Sequence, residues 1–360
     1  MHKPRATVIA DLVFRRASFP SGAFARIAVV AFTVACSAKA LAGPLPEHLG
    51  DTGLYADRTL TRMAPGLLDY TPQYPLWSDG ASKRRWIRLP PGTSIDARDA
   101  DAWVFPVGTR VWKEFSRGRR RETRLIVRTR SGWAYGTYRW TEDGTDALLV
   151  PREGAVDPDP GGPGGRYVFP SQQDCRNCHE GRPTPVLGFS ALQLSPDRDP
   201  DAVHAEQPGA GSVDLGVLVD RGLIRGLPSD WRTHPPRIEA STPEERTALG
   251  YLHGNCGQCH NARGSLASLG IDLWIDPARS DGSTRVITSL LRVSRFRVFG
   301  TAPAERVSPG APELSTLLTR MRSRDAATQM PPVATLVVDR EAASLIERWI
   351  AQLRPSSRTE

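Results

Sequence analysis

Short apolar runs between residues 83 and 150 predict β-strands. The runs are rich in aromatic and β-branched residues, and turn formers such as Pro90-Pro91-Gly92 and Glu142-Asp143-Gly144 separate them. Short strands at this spacing are typical of an antiparallel sandwich or barrel. The strand candidates are residues 86–89, 103–105, 110–112, 123–128 and 133–140.

Helical patterns dominate the second half of the chain. Ser171 followed by Asp174 has the Ser-x-x-acid pattern of a helix start. Thr242-Pro243-Glu244-Glu245 combines an N-cap residue, a proline at the first helical position and an acidic third position. Along the helix that it starts, Leu249, Leu252, Cys256 and Cys259 are expected to form one stripe. Further helices are expected over residues 213–223, 312–322 and 341–353, the last of them capped by Asp339.

The first 42 residues have the pattern of an export signal. A basic stretch ending at Arg26 precedes an apolar segment at 27–36, and Ala40-Leu41-Ala42 offers a small-residue cleavage site. A bilayer needs about 20 apolar residues, so we expect no integral membrane segment after cleavage. Lipidation at Cys36 is an alternative, although Thr33-Val34-Ala35 is a poor approach to such a site.

The basic balance of the chain comes largely from this leader. The formal net charge of +8 includes six Lys/Arg against one Asp in residues 1–42, which leaves about +3 for the remainder. A nucleic-acid partner is therefore not expected. Residues 83–130 still carry fourteen Lys/Arg against five Asp/Glu. They form either a docking face for an acidic partner or, as we favour, solvated strand faces whose arginine stems cover aromatic surface.

Two five-residue stretches carry the chemistry. Cys175-Arg176-Asn177-Cys178-His179 and Cys256-Gly257-Gln258-Cys259-His260 both read Cys-x-x-Cys-His, the attachment signature of c-type haem. Residues three apart on a helix have β-carbons about 5–6 Å apart, so two thiols can reach the two vinyl groups of one porphyrin. His179 and His260 then offer their imidazoles to the iron. The motifs predict two covalently bound haem c groups.

Zinc and dithiol chemistry fit these cysteines less well. In zinc folds a second ligand pair usually follows within about 12–20 residues, whereas 77 residues separate Cys178 from Cys256. A thioredoxin-like protein uses one Cys-x-x-Cys in a βαβ context, whereas this chain has two, each followed by histidine. Because Cys36 lies in the leader, all four cysteines of the mature chain belong to the motifs.

The C-terminal part resembles the small helical cytochrome c domain. The resemblance lies in a capped helix that leads into the second motif, then Met330-Pro331-Pro332, then an amphipathic terminal helix. It implies His260 and Met330 as the two axial ligands of one iron. Proline after the methionine keeps the loop out of a helix, and His/Met ligation raises the haem potential. The alternative for Met330 is a core methionine that fills a gap.

Most of the mature chain resembles a group of uncharacterised bacterial dihaem c-type cytochromes with a β-rich N-terminal region. The resemblance rests on residues 74–80, on Phe105-Pro106-Val107-Gly108-Thr109, on Glu122-Thr123-Arg124-Leu125 and on Tyr251-Leu252-His253-Gly254-Asn255. It implies the dihaem organisation but little about mechanism. Within the first of these stretches, Asp79 is expected to cap a turn.

The expected fold class is α+β and multidomain, with an antiparallel β-sandwich-like domain followed by mainly helical cytochrome c-type haem domains. Residues 154–165 are almost all Gly, Pro, Asp and small residues, which is typical of a linker. The expected order is an export signal (1–42), a β-rich domain (43–153), a Gly/Pro linker (154–168), a first haem c region (169–235) and a cytochrome c-like domain with the second haem (236–360).

The sixth ligand of the first haem is left open by the sequence. No second Met-Pro-Pro follows His179, and His253, three residues before Cys256, is one candidate. A hydrogen bond from His253 to a propionate or to the backbone is the alternative we favour.

These patterns predict a periplasmic electron-transfer protein that serves a periplasmic redox partner through two haems. The alternative is a dihaem oxidoreductase, peroxidase- or oxidase-like, whose first haem has an open coordination position. A third hypothesis makes the β-rich domain a module that presents a ligand to the haems.

Overall fold

The computed structural model describes residues 45–296 and 304–354. The export segment at 1–42, including Cys36, lies outside the described residues. The described part is a mixed α+β structure, as the sequence predicts at this coarse level.

Ten strands and six α-helices make up the regular structure of the described residues. The strands are β1 (Leu68–Asp69), β2 (Ser82–Arg88), β3 (Ile95–Asp96), β4 (Arg110–Arg117), β5 (Arg119–Thr129), β6 (Gly132–Trp140), β7 (Ala147–Leu149), β8 (Ala155–Pro158), β9 (Arg166–Phe169) and β10 (Ile224–Arg225). The helices are α1 (Gln172–His179), α2 (Leu215–Asp220), α3 (Pro243–Asn255), α4 (Gly282–Leu290), α5 (Thr316–Arg322) and α6 (Arg340–Gln352). None of the described helices has the length and apolar character needed to cross a bilayer.

One six-stranded antiparallel sheet has the order β1-β2-β4-β5-β6-β7. Successive side chains of a strand point to opposite faces, and here both faces are buried. One face packs on the loops and short helices that follow the sheet, through Ile87, Val111, Ile126 and Tyr135. The other face packs on the segment before the sheet, through Trp86, Trp112, Leu125, Val127, Tyr138 and Trp140. Burial on both faces explains why apolar residues occupy consecutive positions along these strands, as in Leu125-Ile126-Val127.

The β-rich region differs from the expected sandwich. Its strands form the one large sheet and two small ladders, in which β3 pairs with β10 in parallel and β8 pairs with β9 antiparallel. Residues 103–105 make only an isolated bridge between Val104 and Asp96. The expected linker at 154–168 forms the β8–β9 hairpin, because its glycines and prolines suit a tight connection as well as a flexible one.

The helical core is built from α3, α5 and α6 around Leu249, Ile346 and Trp349. The expected helix at 312–322 is interrupted at Ser315, which leaves a 3-10 turn before α5. Helix α4, which no sequence pattern predicted, buries Val286 and Leu290 against the same core.

Residues 74–80 join the sheet region to the helical core. Gly250 of α3 lets the Tyr74 ring approach the helix, since a β-carbon at this position would clash with that ring. At the end of α3, the Asn255 side chain accepts a hydrogen bond from Trp77 N at 2.7 Å and donates one to Pro75 O at 3.2 Å. These contacts fix the end of α3, and with it the start of the second motif, to the connection between β1 and β2.

The basic strands cover aromatic rings, in agreement with the interpretation favoured from sequence. The Arg120 guanidinium lies 3.6 Å from the ring centroid of Trp140, and that of Arg124 lies 4.4 Å from Phe115. Other cations also lie over rings, including Arg84 over Trp86 and Arg128 over Trp133. Stacking of this kind keeps the charged end near water while the stem covers apolar surface.

Candidate functional site

The first motif lies on α1, as the Ser171–Asp174 pattern predicts. Asp174 N donates to Ser171 Oγ at 3.0 Å, and Ser171 N donates to Asp174 Oδ2 at 2.9 Å, which completes a capping box. The helix then carries Cys175 and Cys178 three residues apart, with Cys175 packed on one face of the large sheet. Both thiols of this motif line a cavity beside the sheet.

His179 presents one nitrogen to this cavity in a defined protonation state. Its Nδ1 lies 2.6 Å from the carbonyl oxygen of Pro185 and, because a carbonyl only accepts, Nδ1 carries the proton. Burial lowers the pKa of His179 to about 4, so the ring is neutral near pH 7 and Nε2 keeps a free lone pair. A histidine that ligates a metal usually has such a second hydrogen bond, which fixes its tautomer and orientation.

The second motif follows α3 and does not continue the helix, contrary to the expected stripe of Leu249, Leu252, Cys256 and Cys259 along one helix. Helix α3 ends at Asn255, and the motif forms a tight loop. Gly257 is required in this loop, because a β-carbon there would lie 2.8 Å from His253 O and 2.9 Å from Leu273 O. His260 N donates to Cys256 O at 2.9 Å, and His260 O accepts from Leu273 N at 2.8 Å. Burial lowers the pKa of His260, and its Nδ1 is buried without a hydrogen-bond partner.

The two motifs lie against each other, although 77 residues separate them. Cys259 Sγ donates to Asn177 O at 3.8 Å, and the neighbouring Cys259 thiol together with burial raises the pKa of Cys178. Asn261 Nδ2 donates to Gly181 O at 3.1 Å and ties the residue after the second motif to the loop after the first. A β-carbon on Gly181 would clash with Gln258 O, so the loops meet at a glycine. No local sequence pattern indicated this contact.

A cavity lies between the sheet, the first motif and the end of α3, and the second motif reaches its wall through Gln258. Apolar and aromatic side chains form much of its wall, together with the first motif and part of α3. The wall includes Cys175, Cys178, His179, Tyr135, Trp103, Phe189, His253 and Trp274. The Tyr135 ring lies 5.6 Å from the His179 ring, centroid to centroid.

Four cations also line this cavity: Arg85, Lys113, Arg124 and Arg182. The arginines are paired, with Glu206 at 2.5 Å, Glu122 at 2.6 Å and Asp101 at 2.6 Å respectively. Arg85 Nη2 and Arg124 Nε are nevertheless buried without a hydrogen-bond partner. The Lys113 ammonium lies 4.7 Å from the Phe115 centroid, and burial lowers its pKa well below the usual range. Such a wall is suited to anionic groups, which would supply the missing acceptors.

His253 also lines the cavity and uses the backbone hydrogen bond that the sequence analysis favoured. Its Nδ1 accepts from Ile275 N at 3.1 Å, and its Nε2 is buried without a hydrogen-bond partner. Burial lowers the pKa of His253 to about 3, so the ring is neutral.

Met330 lies half-buried in the loop between α5 and α6. Its backbone N–H donates to Arg320 O at 3.0 Å, while the guanidinium of the same arginine contributes to the lowered pKa of His260. No hydrogen bond among the described residues joins the thioether of Met330 to the imidazole of His260.

Asp79 holds the loop that follows Met330, a role that sequence reasoning missed. Its carboxylate accepts from Leu336 N at 2.9 Å and from Val337 N at 3.2 Å. Arg324 holds the same loop from the other side, because its Nη2 donates to Val337 O at 2.8 Å. Asp79 has a φ of 51°, which aspartate tolerates better than most residues. The Asp-Gly pair indicated a turn, but the partner 257 residues away could not be read from sequence.

The other described histidines and methionines outside the motifs, apart from His253 and Met330, lie away from the cavity that His179 lines. His48 contacts Asp146 at 2.7 Å, His204 contacts Asp339 at 2.9 Å, and His234 contacts Thr233 at 3.1 Å. Met63 packs with the segment before the sheet, and Met321 packs in the helical core. Of the described histidines outside the motifs, His253 alone lines the cavity with His179.

The comparisons with known proteins assign no family. No family model, no curated protein and no solved structure matches the chain. Among the described residues, no three His, Cys, Asp or Glu side chains lie close enough together to hold one metal ion. The motifs and their geometry are therefore the basis of any functional proposal.

Asp79→Ala should release the loop after Met330. Loss of a hydrogen-bond acceptor that is charged costs about 1.5–3 kcal/mol, so the Leu336 and Val337 amides should exchange with solvent at least about tenfold faster. Hydrogen exchange followed by NMR or mass spectrometry measures this. Asp57→Ala is the matched control, because Asp57 accepts from Thr59 N in an exposed turn. Unchanged protection at Leu336 and Val337 would contradict the role given to Asp79.

Proposed function

We propose that the chain is a periplasmic dihaem c-type cytochrome that carries out one-electron transfer. The observation that carries this proposal is that two Cys-x-x-Cys-His motifs meet at the Cys259–Asn177 and Asn261–Gly181 hydrogen bonds, beside a cavity with a cationic wall. A haem, when bound, supplies the one-electron chemistry, and the chain sets its ligands, burial and access.

The first motif fits a covalently held haem. Helix α1 carries its two thiols three residues apart, and His179 offers Nε2 because its Nδ1–H is used by Pro185 O. The porphyrin would bring two carboxylates, and Arg85, Lys113 and Arg124 on the sheet are the groups suited to receive them. The unpartnered nitrogens of Arg85 and Arg124 support this assignment.

The second motif fits a haem with His260 and Met330 as axial ligands. Arg320, Arg324 and Asp79 fix the loop around Met330, so the thioether would be held with little freedom. His/Met ligation raises the potential, which suits the second site to accept electrons. This region would be the cytochrome c-type domain that the sequence resembles.

The contact between the motifs would make the pair a short path for electrons. Cys259 Sγ donates to Asn177 O at 3.8 Å and Asn261 Nδ2 donates to Gly181 O at 3.1 Å, so the attachment edges of the two sites would be adjacent. An electron could enter from a periplasmic redox partner at one site and leave from the other.

A second candidate function is favoured by the positions of the histidines and methionines that could otherwise be the sixth ligand of the first haem. His48, His204, His234, Met63 and Met321 all pack or pair away from the cavity that contains His179. The first haem would then keep an open position and could bind a small ligand, as in a dihaem oxidoreductase.

The proposal is tested by haem count and cellular location. Intact mass and a pyridine haemochrome assay on the fractionated, denatured protein should give two covalent haems per chain in the periplasm. Cys175→Ala should weaken attachment at the first site alone, and Cys256→Ala at the second alone. Protein that is exported but carries no covalent porphyrin, or that carries zinc, would end the proposal.

Met330→Ala should lower the potential of one haem and give it high-spin character, because the thioether ligand is lost. Redox titration with absorption and EPR spectroscopy measures both effects. Met63→Ala is the control, since Met63 packs in the cluster before the sheet. If the spectrum and both potentials of Met330→Ala match the parent protein, Met330 is not a ligand.

A further inference from the structure

His253 has an N–H group with no acceptor among the residues that the structure describes. The ring is 1 % exposed, and its Nδ1 accepts from Ile275 N at 3.1 Å. A neutral imidazole carries one proton, so the proton must lie on Nε2, where the structure gives no partner. A buried unsatisfied donor costs about 1–3 kcal/mol. It therefore points to a group that binds there.

The ring is held in place by a stack of side chains. Trp274 lies against it, with ring centroids 4.1 Å apart and planes inclined by 40°. The Arg182 guanidinium lies 3.6 Å from the Trp274 centroid on the way to Asp101. Asp101 accepts hydrogen bonds from Trp274 Nε1 and lies 2.6 Å from Arg182 Nη2. A fixed ring with a free N–H is pre-organised to donate a hydrogen bond.

The protonated Nε2 makes His253 a donor and not an iron ligand. Its lone pair is on Nδ1 and is used by the Ile275 amide, so no lone pair is left for a metal. His253 and His179 line the same cavity, and His253 Nε2 is buried without a hydrogen-bond partner among the described residues. Three of the four cations that line the cavity, Arg85, Lys113 and Arg124, come from strands β2, β4 and β5. The fourth, Arg182, lies on the His253 side and is paired with Asp101 at 2.6 Å.

We propose that the His253 Nε2–H donates a hydrogen bond to a small ligand bound at the open face of the haem held by Cys175, Cys178 and His179. The ligand class is a compact hydrogen-bond acceptor, such as a small anion or an oxygen-donor molecule like peroxide. This inference rests on the proposed function and deepens its second candidate. Donors in the distal pocket decide which ligands a haem holds.

Fluoride is a suitable probe, since it binds ferric haem and accepts strong hydrogen bonds. Fluoride titration of the ferric dihaem protein should show binding at one haem. In His253→Leu the Kd should rise about tenfold, the factor expected from one hydrogen bond. His253→Gln keeps an N–H donor and should recover most of the affinity. His234→Leu is the matched control and should bind as the parent does, because His234 contacts Thr233 away from the cavity.

A measurement on the unmodified protein removes any dependence on variant folding. The iron–fluoride stretching band in resonance Raman spectra should shift in D₂O, because the donor proton exchanges. No fluoride binding, no D₂O shift, or the same Kd in His253→Leu would each overturn the inference; the last result would assign Nε2 to a haem propionate. A chain with no covalent haem would instead defeat the proposed function, and the haemochrome assay distinguishes that case.

Discussion

The contact between the two Cys-x-x-Cys-His loops is the constraint on which the site depends. Cys259 Sγ donates to Asn177 O at 3.8 Å, and Gly181 meets Gln258 O with no room for a β-carbon. Each motif is anchored in a different core: Cys175 packs with the sheet, and Cys256 packs against the helical cluster. The loops therefore join two cores, which residues 74–80 also connect, and the pairing of the two proposed redox sites rests on this contact.

The sheet and its neighbouring loops supply the environment of the site. Because both faces of the sheet are buried, one face can support cations at low exposure while the other provides stability. Arg85 and Arg124 keep unpartnered nitrogens on the cavity side. Asp79 from the first half of the chain and Arg324 from the second half hold the loop that follows Met330. The proposed ligands are thus positioned by residues distant from them in sequence.

Local signals in the sequence predicted local structure well. Ser171 and Asp174 form the capping box that starts α1, and Asp339 caps α6 through Ala342 N at 3.0 Å. Pairings between distant residues could not be predicted. The sequence around Asp79 does not indicate a hydrogen bond with Leu336, and the sequence around His253 does not indicate one with Ile275. Gly257 is needed in the loop after α3, because a β-carbon there would clash with His253 O and Leu273 O, and only the packed loop reveals this. The 154–168 segment had turn-forming composition, which does not distinguish a linker from a hairpin.

The central claim is that the touching loops hold two haems side by side. Circular dichroism in the Soret region of the dihaem protein tests this most directly, since adjacent haems couple their transitions. The account predicts a split band with lobes of opposite sign, which disappears when either motif is disabled by Cys175→Ala or Cys256→Ala. A band equal to the sum of the two single-haem spectra would contradict it.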